Sequence, residues 1–413
     1  MFETKKIRKT VYLDYAATTY VDPKVVSAMQ PYFSKEFGNP SSLYALGRNG
    51  KQAVGDSREK IARILNCRPG EIIFTAGGTE SVNMAIFGAV NYSYRQKGAA
   101  PHIITNKAEH HAVLRSFEEL ERRGVSCTYL DVDGEGFVAP EKIIAAIRPE
   151  TVLVSVMYAN NEIGTIQLIA EISKQIQKTN KEREIRGMPR ILFHSDACQA
   201  AGCLDLNVQK LGVDFLSLNA SKIYGPKQMG LLYKKSGASV APLIFGGGQE
   251  SGLRSGTENV AGIVGFARAL EIAAEMKIKA NKRERNLRNY FIEKALNTVD
   301  GLALNGPDIK IDSETSQRRL PNNINLSVDG VEGEALMLYL DAFNVSVSTG
   351  SACSTAEADP SHVLMAIGKT REQAASSIRI TLGRKTSKRD LNYVLKVIPE
   401  LVQVLRQTSK ALS

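Results

Sequence analysis

The chain has 413 residues, 43% of them hydrophobic, and a formal net charge of +10; that length exceeds one ordinary compact unit, so a large and a small domain are expected. Five cysteines, at 67, 127, 198, 203 and 353, make no even framework in a short secreted chain, the charged N-terminus has no apolar stretch behind it, and no apolar run is long enough to span a bilayer, which points to a soluble protein of the reducing cytoplasm with no membrane partner. Lysines and arginines are interleaved with acids in 174–186 and 277–288, both of helical character and without alternating aromatic residues, so solvated helix faces explain the charge better than direct nucleic-acid binding, and an acidic protein partner stays open.

An apolar entry at 11–13 leads into a polar, small-residue loop, Asp14-Tyr-Ala-Ala-Thr-Thr, suited to line a site, and Asp22-Pro23 opens a helix. Gly38-Asn-Pro-Ser-Ser is a turn, and 47–65 carries helical spacing. The short apolar strand 71–74 breaks into Thr75-Ala-Gly-Gly-Thr79 before a helical run. Glycines there let the backbone approach an anion, and helix N-terminal amides with the Thr79 hydroxyl can donate to it. Neither a dinucleotide nor a P-loop fingerprint is present, and a plain turn is the simpler reading of that loop alone.

Strands at 102–105, 127–130, 152–157, 190–193 and 213–218 then alternate with helices at 112–123, 141–147 and 169–181. This pattern predicts a mainly parallel α/β sheet covered on both faces, with its ligand outside the carboxyl ends of the strands. A strand at 229–233 and a glycine-rich stretch around Arg254 and Thr257 follow. A long helix from 260 to about 299 bridges to a strand at 320–328, a helix at 333–340, a strand at 377–384 and a closing amphipathic helix at 390–405, which together predict a small α+β domain.

Polar residues gather at the strand ends: Glu109 and His110, Asn160 and Asn161, Asp196 and Gln199, then Asn219, Ser221 and Lys222. A phosphate, an aromatic ring, a ring nitrogen needing a carboxylate and an aldehyde needing an amine would use them all, and pyridoxal phosphate has those four parts. Each residue also has a plainer explanation: adjacent surface histidines for His110, a helix cap for Asp196, a snorkelling stem for Lys222. His194, Cys198 and Cys203 lack metal-site spacing, so no metal is expected. Cys353 lies among small and hydroxyl residues with no partner at CxxC spacing, which suits a nucleophile, although most lone cysteines carry no chemistry.

The motifs Asp14-Tyr-Ala-Ala-Thr-Thr, Phe74-Thr-Ala-Gly-Gly-Thr-Glu-Ser, Glu109-His110, Asn160-Asn-Glu-Ile-Gly, Asp196-Ala-Cys-Gln199, Ser221-Lys222-Ile-Tyr-Gly-Pro-Lys, Arg254-Ser-Gly-Thr, Ser348-Thr-Gly-Ser-Ala-Cys353 and Ser376-Ser-Ile-Arg379 occur in this order over nearly the whole chain. Together they resemble the cysteine desulfurases of the class V aminotransferase superfamily, in the branch with an extended catalytic-cysteine loop. The resemblance implies a fold type I pyridoxal-phosphate enzyme with a large domain (15–265) built on a mainly parallel seven-stranded sheet. A small α+β domain (1–14 and 266–413) would carry the Cys353 loop. It implies a homodimer that converts L-cysteine to L-alanine, carries the sulfur as a persulfide on Cys353, and delivers it to an iron–sulfur scaffold or other acceptor protein for cluster assembly or tRNA thiolation.

By the same resemblance Lys222 would hold the cofactor, His110 would stack on its ring, Asp196 would pair with the ring nitrogen and Gln199 would lie near the ring hydroxyl. Gly78 and Thr79 would bind the phosphate with Thr257 from the other subunit, and Asn161 and Arg379 would take the substrate carboxylate. Asn219 and Ser221 stand where the family usually has Ser and His, both phosphate contacts. Their side chains still donate hydrogen bonds, so weaker or differently arranged phosphate binding is expected. Tyr44 and Ser251 replace a common His and Arg. Rival readings are a selenocysteine lyase or cysteine-sulfinate enzyme of the same superfamily, and a weakly active homologue serving as a sulfur-transfer scaffold.

Overall fold

The computed structural model describes residues 10–97, 100–311, 317–349 and 360–412. Its strands, in chain order, are β1 (Val11–Tyr12), β2 (Ile72–Thr75), β3 (His102–Asn106), β4 (Ser126–Leu130), β5 (Thr151–Ser155), β6 (Leu192–Asp196) and β7 (Phe215–Asn219). After them come β8 (Gly230–Lys234), β9 (Leu302–Leu304), β10 (Asn323–Val328), β11 (Val345–Ser346) and β12 (Ser377–Thr381). A seven-stranded sheet has the order β2-β8-β7-β6-β5-β3-β4, and β8 alone runs antiparallel to its neighbours. The mainly parallel seven-stranded sheet expected from the sequence is the one observed.

Neighbouring residues on each strand serve opposite faces, as the period of two requires. Phe74, Ile104, Val154 and Leu216 pack with the helices Ala45–Leu65, Ile169–Ile185 and the first half of Val260–Leu296. Ile73, Ile103, Leu153 and Phe215 pack with Gly78–Lys97 and His111–Arg122. Burial on both faces is why β2, β3 and β5 read as unbroken apolar runs rather than alternating ones.

A second core lies around the antiparallel sheet β12-β10-β9. Phe291, Ile292 and Ala295 from the far end of Val260–Leu296 meet Leu336, Leu340, Leu391 and Leu401 there. The two-residue parallel pair β1–β11 brings Val11 and Leu13 into the same core.

Several boundaries move from their sequence-based positions. The strand expected from 320 starts at Asn323 because Pro321 has no N–H to give a ladder. The strand from Ser377 stops at Thr381, where Leu382 N turns to the Asn322 carbonyl (2.8 Å). β9 was not anticipated: it is a three-residue, half-exposed edge with no alternation long enough to read.

Candidate active site

The carboxyl ends of β3, β5, β6 and β7 share one edge of the sheet, and the loops after them carry the predicted polar groups. Asp196 ends β6 and is buried, with Oδ1 accepting the Cys198 N–H at 2.9 Å. No helix starts here, the next being Val208–Leu211, so the helix-cap explanation does not hold and this contact closes a turn that uses one of the two carboxylate oxygens. His110 caps the helix His111–Arg122, its Nδ1 accepting the Ala112 N–H at 3.0 Å. Burial pushes the imidazole pKa down, Asp196 opposes that shift and Lys222 adds to it. His110 is thus a neutral ring with its proton on Nε2, and the charges of Asp196 and Lys222 both reach it.

The preceding residue, Glu109, is fully buried, with Oε1 accepting from Asn106 Nδ2 (2.5 Å) and Met157 N (2.6 Å), while Oε2 has no partner among the described residues. Burial raises its pKa to about 8, with Asp196 contributing, which favours the protonated acid.

Lys222 follows β7 in a short turn capped by Asn219. Its Nζ donates to the carbonyls of Ala16 (2.9 Å) and Ala17 (2.6 Å), and Gln199 Nε2 donates to the same Ala16 oxygen. Thr19 ties the 14–19 loop to the lysine turn through its hydroxyl and its N–H, both to the Ser221 carbonyl at 2.9 Å.

Gly78 opens the helix Gly78–Lys97 against that turn. A Cβ at this position would stand 2.6 Å from Cys198 Sγ and 3.5 Å from Asn219 Nδ2, so glycine alone allows the approach. Asn219 Oδ1 accepts from both Ser221 N (3.1 Å) and Ser221 Oγ (3.0 Å), which turns the amide nitrogen toward the helix N-terminus. Thr79 and His110 share a cleft of about 420 Å³ with Asn83, Phe87, His111 and Arg115.

Arg379, on β12, is buried. Its Nη2 donates to Asp14 Oδ1 at 2.8 Å, Nη1 reaches the Asn161 carbonyl at 3.5 Å, and Nε is buried without a partner among the described residues. The backbones of Arg379 and Ser348 exchange hydrogen bonds of 2.6 and 3.1 Å. Glu162 is buried beside this group, its pKa raised by burial to about 7 and its carboxylate accepting from Ser361 Oγ. His362 Nε2 donates to the Glu109 carbonyl at 2.8 Å. Cys353 lies outside the described residues.

Thr257 is exposed and lines a different cleft, of about 220 Å³, with Ala76, Gln228 and Arg254. His194 is a core histidine whose ring nitrogens bond Ser155 Oγ (2.8 Å) and Ser217 Oγ (3.0 Å).

The family described as "Aminotransferase class-V" matches residues 11–394. Cysteine desulfurase IscS of Clostridium botulinum strain Hall is 47% identical over 403 residues, 98% of this chain and 97% of that protein. The chain belongs to the cysteine desulfurases of the class-V aminotransferase family. Among solved structures, a NifS-like protein superimposes with a TM-score of 0.86 at 36% identity, covering 96% of this chain and all of its own. SspA in complex with cysteine gives 0.76 at 33%, covering 90% and 99%. Neither rival reading is favoured by these relatives.

This cysteine desulfurase is therefore a pyridoxal-phosphate enzyme, and its residues fit the cofactor. An anion cradle only glycine permits, an amide turned toward it, a buried carboxylate, a neutral imidazole and a lysine lie at neighbouring strand ends. Residues whose part the sequence reading missed are Asp14 on Arg379, the Ala16 and Ala17 carbonyls on Lys222, and the two buried acids Glu109 and Glu162. All lie inside the quoted motifs, but nothing in a motif says which residue faces which.

Proposed function

We propose that the chain converts L-cysteine to L-alanine and passes the sulfur, as a persulfide on Cys353, to an acceptor protein of the iron–sulfur assembly or tRNA-thiolation type. The carrying observation is that His110, Asp196 and Lys222 follow or end strands β3, β6 and β7 on one edge of the sheet, with Gly78 packed against the lysine turn. In this reading the two cores correspond to a large domain, 15–265, and a small one, 1–14 with 266–413. The working form is a cytoplasmic homodimer in which the partner subunit's Thr257 joins the phosphate cradle.

Bound pyridoxal phosphate supplies an electron sink for the electrons left at the substrate Cα. Lys222 would anchor it, Asp196 would accept the ring N–H, neutral His110 would cover one ring face, and Gln199 would lie at the ring hydroxyl. Gly78, Thr79, Asn219 and Ser221 would surround the phosphate. Arg379 and Asn161 would hold the substrate carboxylate, which fixes the Cα–H for removal. The Lys222 amine would be the base for that proton, and the Ala16 and Ala17 carbonyls that accept from its Nζ would hold the ammonium so formed. The Cys353 thiolate then attacks the substrate sulfur. The Cβ–S bond breaks as the S–S bond forms, its electron pair is left on Cβ, which takes up a proton, and alanine leaves once a proton is returned to Cα.

An absorbance spectrum before and after adding L-cysteine, with alanine and sulfide measured together, tests the reading. A purified protein that stays colourless after incubation with pyridoxal phosphate overturns it.

A further inference from the structure

Arg379 stands at the proposed docking point for the substrate carboxylate, yet it already has an anion. The guanidinium is 5% exposed and the Asp14 carboxylate 16%, and they are 2.8 Å apart. Asp14 is fixed where it is: its residue bridges to Thr381, and its carbonyl accepts from Tyr12 Oη (2.9 Å) and from Ala17 N (3.1 Å). The turn it begins supplies the two carbonyls on Lys222. An arriving carboxylate therefore meets a guanidinium whose charge is matched and must share its fork, in a place where water screens little.

We infer that Asp14 sets how tightly carboxylates are held at Arg379, weakening the hold on substrate and product alike so that alanine leaves. The inference rests on the assignment of Arg379 proposed above. Asp14 acts through Arg379 and is a positioning residue. Without its charge, the acid that the buried Arg379 keeps nearby is Glu162, whose ionisation burial opposes, so the guanidinium is poorly balanced in the free enzyme and a bound carboxylate restores the balance. Removal of Asp14 thus harms the free enzyme more than the complex, and ligand affinity rises.

The test uses the full-length enzyme loaded with pyridoxal phosphate and titrated with L-alanine while the cofactor absorbance is followed. Ethylamine, the same amine without the carboxylate, is the control. Asp14→Asn should bind L-alanine on the order of tenfold more tightly, leave ethylamine unchanged, and lower KM for L-cysteine without a matching gain in kcat. Asp14→Ser, which also removes the charge, should do the same and serves if the first variant does not fold. L-alanine affinity that is unchanged or weaker in the variant, or that shifts together with ethylamine, overturns the inference. A wild-type spectrum that L-alanine leaves unmoved overturns the Arg379 assignment, and the inference with it.

Discussion

Lys222 and Gln199 share one acceptor, the carbonyl oxygen of Ala16, each at 2.9 Å, and Lys222 adds the Ala17 carbonyl at 2.6 Å. Carbonyls hold an ammonium through charge and dipole and lose much of that hold when the nitrogen becomes neutral. Lys222→Ala should remove the cofactor absorbance that borohydride can trap and lower turnover by at least ~10³-fold. Retained colour with retained turnover would remove Lys222 from its role.

Cys353→Ala should keep the cofactor, still respond to L-cysteine in the spectrum, and form no protein-bound persulfide. Mass spectrometry after L-cysteine treatment checks this. Sulfide release at the wild-type rate would show that another group attacks the substrate sulfur.

Asn219 and Ser221 should contribute unequally to the phosphate. Asn219 Oδ1 is occupied twice by Ser221, so the nitrogen is the donor left for an anion. Asn219→Ala should weaken pyridoxal phosphate on the order of tenfold and leave pyridoxal unaffected. Ser221→Ala should cost less, and should cost nothing further in the Asn219→Ala background. Equal and additive losses would make Ser221 an independent donor.

Three buried acids tie stability to pH. Burial raises Glu109 to about 8 and Glu162 and Glu284 to about 7, against 4.5 for the ordinary group. The folded state therefore binds protons more tightly than the unfolded one. Their stabilising contribution is complete below about 4.5 and is lost as pH rises through about 7 to 8. Glu284, which lines a small cavity with Lys222, Tyr224 and Arg384, accounts for at most about 3 kcal/mol of that loss. Urea unfolding at pH 5 and pH 8.5 should show a smaller difference for Glu284→Gln than for the wild type. An unchanged difference would contradict the assignment.

Glu250 fastens the glycine-rich stretch to the sheet. Its carboxylate, 4% exposed, accepts from Arg58 Nη1 (3.0 Å), Arg58 Nη2 (2.6 Å) and the Phe74 N–H of β2 (2.9 Å). Glu250→Ala strands a charge and a strand amide together and should cost about 3–5 kcal/mol by denaturant titration. A loss below about 1 kcal/mol would mean that water replaces the carboxylate.

The sheet and the strand-end groups were readable because apolar runs and turn residues alternate along the chain and each site residue sits beside its own strand. Contacts between distant stretches were not. Asp14 and Arg379 are separated by 365 positions, and no local pattern marks either as the partner of the other. Asn219 and Ser221 stood out as departures from the family, but which end of the amide faces the cradle depends on a hydrogen bond only the folded turn reveals. Glu109 looked like a companion to His110, and its raised pKa follows from a burial that composition does not announce.

The helix Val260–Leu296 has 37 residues, a rod of about 55 Å. Its residues up to Ala273 belong to the core around the large sheet, and Phe291, Ile292 and Ala295 to the core around β10 and β12. The buried positions between them, Asn281, Glu284, Arg285 and Arg288, are all polar. Melting either core means unwinding part of a rod that the other still grips. The two cores should therefore lose structure together, with near-UV and far-UV circular dichroism signals falling over the same urea range, and two separated transitions would show that the helix does not couple them.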